Sequence, residues 1–387
     1  MGGQASIPLV LMRGGTSKGL YFHDRDLPPV GPVRDALLSR LMGSPDILQI
    51  DGLGGSRPIT SKVAIVGPSA REDADVDYTF AQVDIESRQV SYNGNCGNIS
   101  SGVGPFAIDE GLVPAHDGVT TVRIHNTNTG KILTAAVPVS GGVAEVEGDL
   151  AIPGVPGTGA EIVMDWSATV GAMTGRLLPT GAAVDKITLE DGRTVPASIV
   201  DAGNPVIWLH SGDFGLDASA RSEINEDHRF LGLVRETRGK ACVMMGLCDD
   251  WRSCEATVPA VPIIGFVAPP VEYRTLNGRQ VDAAEMDLRL HLMFMNRLHE
   301  SVAGTASISL AAASRIPGTT VSEVTRDRGS HEVLIGHPSG VTTVSVVARD
   351  VAKGSDAGFR LLGISRTARR LMAGHAFYPA ELAMEGR

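Results

Sequence analysis

The sequence predicts an α+β fold made of two strand-rich halves that read alike. Three observations carry this expectation. Most apolar segments are short, β-branched or alternating, and bounded by Gly, Pro, Asn or Asp, which is the pattern of strands. Long helical patterns are few. Each half also offers one helix-like stretch made largely of Gly, Ser and Ala: CGNISSGVGPFAID in the first and SVAGTASISLAAAS in the second. Two diverged copies of one unit would explain the arrangement, with the halves at 1–183 and 184–387.

In chain order, strands are expected at 7–12, 61–66, 77–83, 120–125, 132–137 and 142–146. A helix is expected at 33–41. A second runs from 96 to 109 and closes at Gly111, where a residue of free backbone suits a C-terminal cap. The stretch IPGVPGTG at 152–159 is a run of turns, and 178–184 reads as a connector. In the second half, strands are expected at 187–189, 205–209, 263–267, 288–295 and 341–347. A long helix at 301–315 is ended by Pro317. A polar helical stretch at 219–237 has no obvious match in the first half.

Composition narrows the class. Of 387 residues, 43% are hydrophobic and 20% charged, which is a globular balance. No apolar run approaches the ~18 residues that a membrane-crossing helix needs. The first residues lack a basic segment followed by a long apolar one, so no secretory signal is visible. Four cysteines do not make a disulfide scaffold, and a reducing cytoplasm is the expected compartment. Thirty-four Lys+Arg against 44 Asp+Glu give a net charge of −10, which argues against nucleic acid or an anionic membrane as partner. A carboxylate substrate stays open, because a pocket can be locally positive.

The small-residue helices are not a choice of helix propensity, since Gly costs about 1 kcal/mol relative to Ala in a helix interior. Small side chains let a helix be surrounded closely, as inside a barrel of strands, and let backbone N–H groups approach a ligand. A helix N-terminus attracts carboxylates. Two such termini would clamp a di- or tricarboxylate, the other reading being that these residues serve packing alone.

Among chemically useful residues, Cys96 opens the first of these helices, where the thiolate is favoured. Asn and Gly on both sides argue against an inert core thiol. Lys62 begins an apolar strand, where burial would lower its pKa and make it a usable base; an exposed strand-end lysine is the alternative. Cys242, Cys248 and Cys254 are separated by five intervening residues each, which is not zinc spacing, and they read as core or incidental thiols. The histidines form no paired motif, so no metal site is expected. The segment Arg13-Gly14-Gly15-Thr16-Ser17-Lys18-Gly19 fails the Walker pattern, and Asp51-Gly52-Leu53-Gly54-Gly55 fails the dinucleotide fingerprint. Both read as tight loops that place N–H groups and hydroxyls around an anion. Asn98-Ile99-Ser100 matches the glycosylation pattern by chance.

Together, several segments resemble one family. In the first half these are Met12-Arg13-Gly14-Gly15-Thr16-Ser17-Lys18-Gly19, Asp51-Gly52-Leu53-Gly54-Gly55, Thr60-Ser61-Lys62-Val63-Ala64, Asn95-Cys96-Gly97-Asn98 and Gly102-Val103-Gly104-Pro105-Phe106. In the second half the match runs through Gly154-Val155-Pro156-Gly157-Thr158, His299, the 301–317 stretch, His337-Pro338-Ser339-Gly340 and Arg366-Thr367-Ala368-Arg369-Arg370-Leu371-Met372. The sequence resembles the 2-methylaconitate cis-trans isomerase (PrpF) family, which includes 4-oxalomesaconate tautomerases and methylitaconate isomerases. The resemblance implies a diaminopimelate epimerase-like fold. That fold has two similar, barrel-like, strand-rich domains, each wrapped around a central helix, with the active site between them; the C-terminal tail can pack back on the first. Epimerases carry a cysteine at the start of each central helix. Here only the first has one, so two-thiol racemase chemistry is not expected. The resemblance makes Lys62 and Cys96 the proton-transfer groups. Two departures stand out: Val261-Pro262-Ile263 where many relatives have Val-Pro-Lys, and Ala202-Gly203-Asn204-Pro205 where the oxalomesaconate branch has Asn-Gly-Met-Pro.

The expected activity is therefore an isomerase or tautomerase needing no cofactor or metal. It would move a proton along an unsaturated di- or tricarboxylate, with double-bond shift and cis-trans isomerisation both open. Lys62 and Cys96 would act as base and acid in either order. Candidate carboxylate contacts are Ser17, Gly97, Asn98, His299 and Ser301, followed by Arg13, Lys18 and Arg366. The alternative is a non-catalytic carboxylate-binding accessory protein of an aconitase-like enzyme. Which acid is bound is not legible in the motifs. The sequence leaves oligomeric state open, a homodimer being compatible with it.

Overall fold

The computed structural model describes residues 3–216, 222–349 and 358–384. The chain is a mixed α/β protein that clusters into two compact units, Met1–Met164 with Arg366–Arg387, and Asp165–Ser365. Residues 165–183 thus fall outside the half to which the sequence reading assigned them. The reason is a set of backbone bonds to the strand Thr194–Ala202: Gly171 N donates to the Asp201 carbonyl at 2.8 Å, and Asp201 N donates to the Leu177 carbonyl at 2.8 Å. The Asp201 carboxylate also accepts from Met173 N at 2.9 Å and Thr174 N at 2.7 Å. The C-terminal strand Ala368–Pro379 pairs antiparallel with Gln4–Gly14 in the first unit.

In the first unit, Gln4–Gly14 forms an antiparallel hairpin with Ser17–His23. Ser17–His23 pairs parallel with Lys62–Pro68, which pairs antiparallel with Val76–Val83. Val76–Val83 pairs parallel with Gly118–Asn126, which pairs antiparallel with Lys131–Ser140. Burial alternates along Gly118–Asn126 and Lys131–Ser140, as for strands with one face in the core. It is continuous over the first six residues of Lys62–Pro68, which are covered on both faces. The helix Pro32–Met42 links the first parallel pair. It starts with Pro at its first position and stops at Gly43, which adopts a left-handed conformation (φ 86°) and donates to the Ser39 and Arg40 carbonyls. Leu37, Leu38, Leu41 and Met42 pack with Leu20, Phe22, Val63 and Ile65 as one core.

The second unit repeats this succession of senses. Thr194–Ala202 and Asn204–His210 are antiparallel, Asn204–His210 and Ile263–Ala268 parallel, Ile263–Ala268 and Leu288–Phe294 antiparallel. Leu288–Phe294 and Glu332–His337 are parallel, and Glu332–His337 and Gly340–Arg349 antiparallel. The helix His228–Met244 links its first parallel pair, so the polar helical stretch does have a counterpart, Pro32–Met42. Its expected start at 219–221 lies outside the described residues. In each unit the small-residue stretch is the crossover of the second parallel pair.

Two helix expectations are corrected. The stretch 96–109 is two short helices, Gly97–Ser100 and Val103–Asp109. The buried Tyr21 hydroxyl donates to the Ile99 carbonyl at 2.6 Å, occupying an acceptor a continuous helix would use. Gly102 admits that ring, since a Cβ there would lie 2.4 Å from the Tyr21 oxygen. Restarting at Val103 also puts Pro105, which has no N–H, into a first turn that needs none. The second-half helix is Gly304–Ser314, three residues shorter at its start than expected. All eleven of its residues are buried, against Thr194–Ala202, Asn204–His210 and Gly340–Arg349. Among the described residues no helix is long and apolar enough to cross a membrane.

Candidate active site

Lys62 stands at the first position of its strand, opposite Gly19 on one side and Gln82 on the other. It is only 5% exposed, so its ammonium group has left water. Its Nζ donates to Gln82 Oε1 at 2.5 Å and lies 5.1 Å from the centre of the Phe80 ring. Burial pulls the Lys62 pKa below its ordinary value, and the Cys96 sulfur offsets part of that shift.

Gln82 was not found by sequence reasoning. Its amide Nε2 donates to the Pro58 carbonyl at 3.1 Å and the Ser61 carbonyl at 3.0 Å, which fixes Oε1 toward the lysine. The one available signal was its position, a polar residue near the end of the apolar run DYTFAQV.

Cys96 is the residue before Gly97–Ser100, half-exposed and in extended conformation. Its amide donates to Asn95 Oδ1 at 2.7 Å, and its carbonyl accepts from Ser100 N at 2.8 Å. Two buried phenols, Tyr21 and Tyr78, feel its charge. Burial first, then the sulfur, pushes both above the ordinary tyrosine range, so they remain neutral.

Asn98 ties this helix to the first hairpin. Its side chain donates to Thr16 Oγ1 at 2.9 Å and accepts from Arg366 Nε at 3.1 Å. The hairpin tip meets it closely, and a Cβ on Gly15, which adopts φ +51°, would lie 2.3 Å from Asn98 Oδ1. Arg366 is buried, and loss of water lowers its pKa to about 9. Arg13 is pinned to the Gly15 and Thr367 carbonyls at 2.9 and 2.7 Å. Burial first, and then Arg369, lowers its pKa. Ser17, opposite Gly14 in the hairpin, is buried.

The first unit therefore gathers Lys62, Cys96, Gly97 and Asn98 with the hairpin carrying Arg13 and Ser17. The Asp51–Gly55 loop, expected around an anion, instead wraps the buried Gln49 side chain. Gln49 accepts from Ser56 N at 3.0 Å and donates to Ser61 Oγ at 2.8 Å, one residue from Lys62.

His299 and Ser301 belong to the second unit. Ser301 N donates to His299 Nδ1 at 3.1 Å, and His299 N donates to the Leu292 carbonyl at 2.7 Å. Ser301 sits in the turn before Gly304–Ser314 rather than on that helix. Asn204 Nδ2 donates to Thr305 Oγ1 at 3.2 Å, so the Ala202–Pro205 departure secures the helix start within its own unit.

Linear spacing failed at the three remaining cysteines. Cys242, Cys248 and Cys254, expected to be core or incidental thiols, converge, with sulfurs within 4.8 Å of one another.

The sequence pattern of the PrpF protein family matches residues 4–379. The chain is 47% identical to the 3-methylitaconate isomerase of Eubacterium barkeri, over 97% of this chain and 98% of that protein. It is 39% identical to the 4-oxalomesaconate tautomerase of Pseudomonas putida (96% of each) and 37% identical to the 2-methyl-aconitate isomerase of Cupriavidus necator (98% of each). The crystal structure of methylitaconate-delta-isomerase superposes with a TM-score of 0.81 at 46% identity, covering 98% of this chain and 97% of that one. A hydroxyproline epimerase from Agrobacterium vitis, at 13% identity and a TM-score of 0.55 over 97% and 92% of the two chains, shares the fold.

Proposed function

This chain belongs to the PrpF protein family and is an isomerase, and we propose that it shifts a proton along an unsaturated di- or tricarboxylate with Lys62 and Cys96 as the transfer groups. The observation that carries the reading is the buried Lys62 amine, lowered in pKa by burial and acted on by the Cys96 sulfur, in the unit that holds the hairpin and Asn98. One partner removes the proton γ to a carboxylate across the C=C bond. The electron pair delocalises into that carboxylate as a dienolate. A proton then returns at the other end of the allyl system, or at the same carbon after rotation.

Atoms and electrons balance without an oxidant, reductant or water, so the reaction needs two proton-transfer groups and donors for the developing charge. Lys62 suits the base role because burial favours its neutral amine. Ser17, Gly97 and Asn98 are the candidate donors of the first unit. His299 and Ser301 rest on the sequence reading as further carboxylate contacts.

The 47% identical relative puts methylitaconate first among substrates to try, with methylaconitate and oxalomesaconate next. An accessory binder that does not turn its ligand over finds no support in these relatives, which are isomerases or tautomerases by name. The finer architecture, two similar barrel-like domains each around a central helix, is part of the proposal. The repeated succession of strand senses and the fully buried Gly304–Ser314 helix support it. A cytoplasmic location is proposed with it.

The test is proton NMR in deuterium oxide with these three acids. Deuterium should enter the allylic position with the wild type and not with Lys62→Ala. Absence of exchange with every acid, or full activity in the lysine variant, would defeat the assignment.

A further inference from the structure

The Cys242, Cys248 and Cys254 thiols lie in the second unit, whereas Lys62 and Cys96 belong to the first. Cys242 is in the last turn of His228–Met244, and Cys254 opens the short helix Cys254–Thr257. Cys248 lies in the turn between them. The chain reverses at Gly246, whose φ is +69°, and Leu247 N donates to the Cys242 carbonyl at 3.0 Å. Cys242 and Cys254 are buried, and Cys248 is half-exposed, leaving one side of the cluster open.

The number of converging sulfurs discriminates between the two uses of clustered thiols. A disulfide requires sulfurs ~2.05 Å apart and engages two of the three. A metal–sulfur bond of ~2.3 Å puts ligand sulfurs roughly 4 Å apart and engages all three. All three sulfurs converge here, each within 4.8 Å of the others, as a metal would use them.

We propose that Cys242, Cys248 and Cys254 form a three-thiolate site for a thiophilic d10 cation, zinc or cuprous copper. Such ions bind thiolates tightly, and the open side leaves a position for water on zinc or none on three-coordinate copper. The surroundings favour the anionic ligand set. Arg238 lies near Cys254 and is held by its own bonds, Nε to the Pro262 carbonyl at 2.8 Å and an Nη to the Val261 carbonyl at 2.9 Å. The cation would tie the end of His228–Met244 to the segment leading into Ile263–Ala268.

The experiment uses the full chain, chelator-stripped and kept reduced without oxygen, titrated with Co2+ as an optical probe. A thiolate-to-cobalt charge-transfer band should grow to saturation at one equivalent. Zn2+ or Cu+ should then displace it, and the one that does so at lower concentration identifies the cation. Cys248→Ser is the main variant, because that half-exposed side chain can be changed with the least disturbance; it should weaken binding at least tenfold while its circular dichroism matches the wild type. Cys96→Ser should leave the titration unchanged. The thermal midpoint should rise with metal in the wild type more than in Cys248→Ser. No band, displacement by neither ion, an unchanged titration in Cys248→Ser, or loss of the band in Cys96→Ser would each overturn the proposal.

Discussion

Lys62 and Cys96 belong to one unit, and the Cys96 sulfur is near enough to act on the buried Lys62 ammonium. Two transfer groups that both reach the substrate from this one unit meet the same face of it. The proton taken from one carbon of an allyl system should return to the same face at the other. Stereospecifically deuterated substrate, followed by proton NMR, reads the face directly, and delivery to the opposite face would refute the single-sided arrangement.

Removing either member should cost about 10²–10⁴ in kcat, the usual contribution of one positioned acid or base. Lys62→Ala and Cys96→Ser should each retain the wild-type circular dichroism, because neither side chain belongs to the hydrophobic core around Leu20, Phe22 and Val63. Steady-state rates within threefold of wild type in either variant would remove that residue from the chemistry.

The same lysine should destabilise the protein that needs it. Its folded pKa lies below the ordinary 10.5, so burial outweighs the return from Cys96. The unfolded chain then binds more protons between those two values, and stability rises with pH through that window. At neutral pH the folded state carries the penalty in full, provided the folded pKa remains above that pH. Lys62→Met should be inactive but melt higher, by roughly 2–4 °C for each kcal/mol relieved. Its advantage should shrink as pH is raised toward the ordinary lysine value. A lower melting temperature at neutral pH would show that the partners of Lys62 repay its burial.

Gln82 touches the amine but none of the reacting atoms, so it positions rather than reacts. Its carbonyl oxygen accepts from Lys62 and favours the charged amine. Gln82→Leu should lower the Lys62 pKa further and move the acid limb of kcat/KM to lower pH. Gln82→Glu should move it higher. A hydrogen bond to a charged group is worth about 1.5–3 kcal/mol, or roughly one to two powers of ten in rate. Equal losses in both variants with no shift of the limb would mean that Gln82 only supports the fold.

The sequence singles out Lys62, Cys96 and Asn98 as candidates because they sit in short, unusual strings: a lysine entering an apolar strand, and a thiol flanked by Asn and Gly. It also disclosed the fully buried helix Gly304–Ser314 through its lack of large side chains. It did not disclose what depends on pairing across the sheet. Gln82 is 20 residues from Lys62 and meets it only because their strands are antiparallel in one register. The helix His228–Met244 looked unmatched because its equivalence to Pro32–Met42 is one of topology, not of composition. The thiol cluster was hidden for a related reason. Spacers of five residues rule out a familiar metal loop, yet a helix end, a turn and a new helix start can still aim three side chains at one point.

Gly15 offers a test of how tightly the hairpin and Asn98 are fitted. A methyl group there meets two obstacles. The φ of +51° costs a non-glycine residue about 1–2 kcal/mol. In addition, the new carbon would lie 2.3 Å from Asn98 Oδ1, on a side chain held by Thr16 and Arg366. Gly192 has the first obstacle without the second, since its φ is +85° and nothing stands within 4 Å. Gly192→Ala should therefore show the backbone penalty alone and leave kcat/KM untouched. Gly15→Ala should lose more stability and also lower kcat/KM, because relieving the contact moves Asn98 and the Gly97–Ser100 helix that follows Cys96. If the two alanine variants lose equal stability and keep equal activity, the contact between the hairpin and Asn98 is not what holds the site in register.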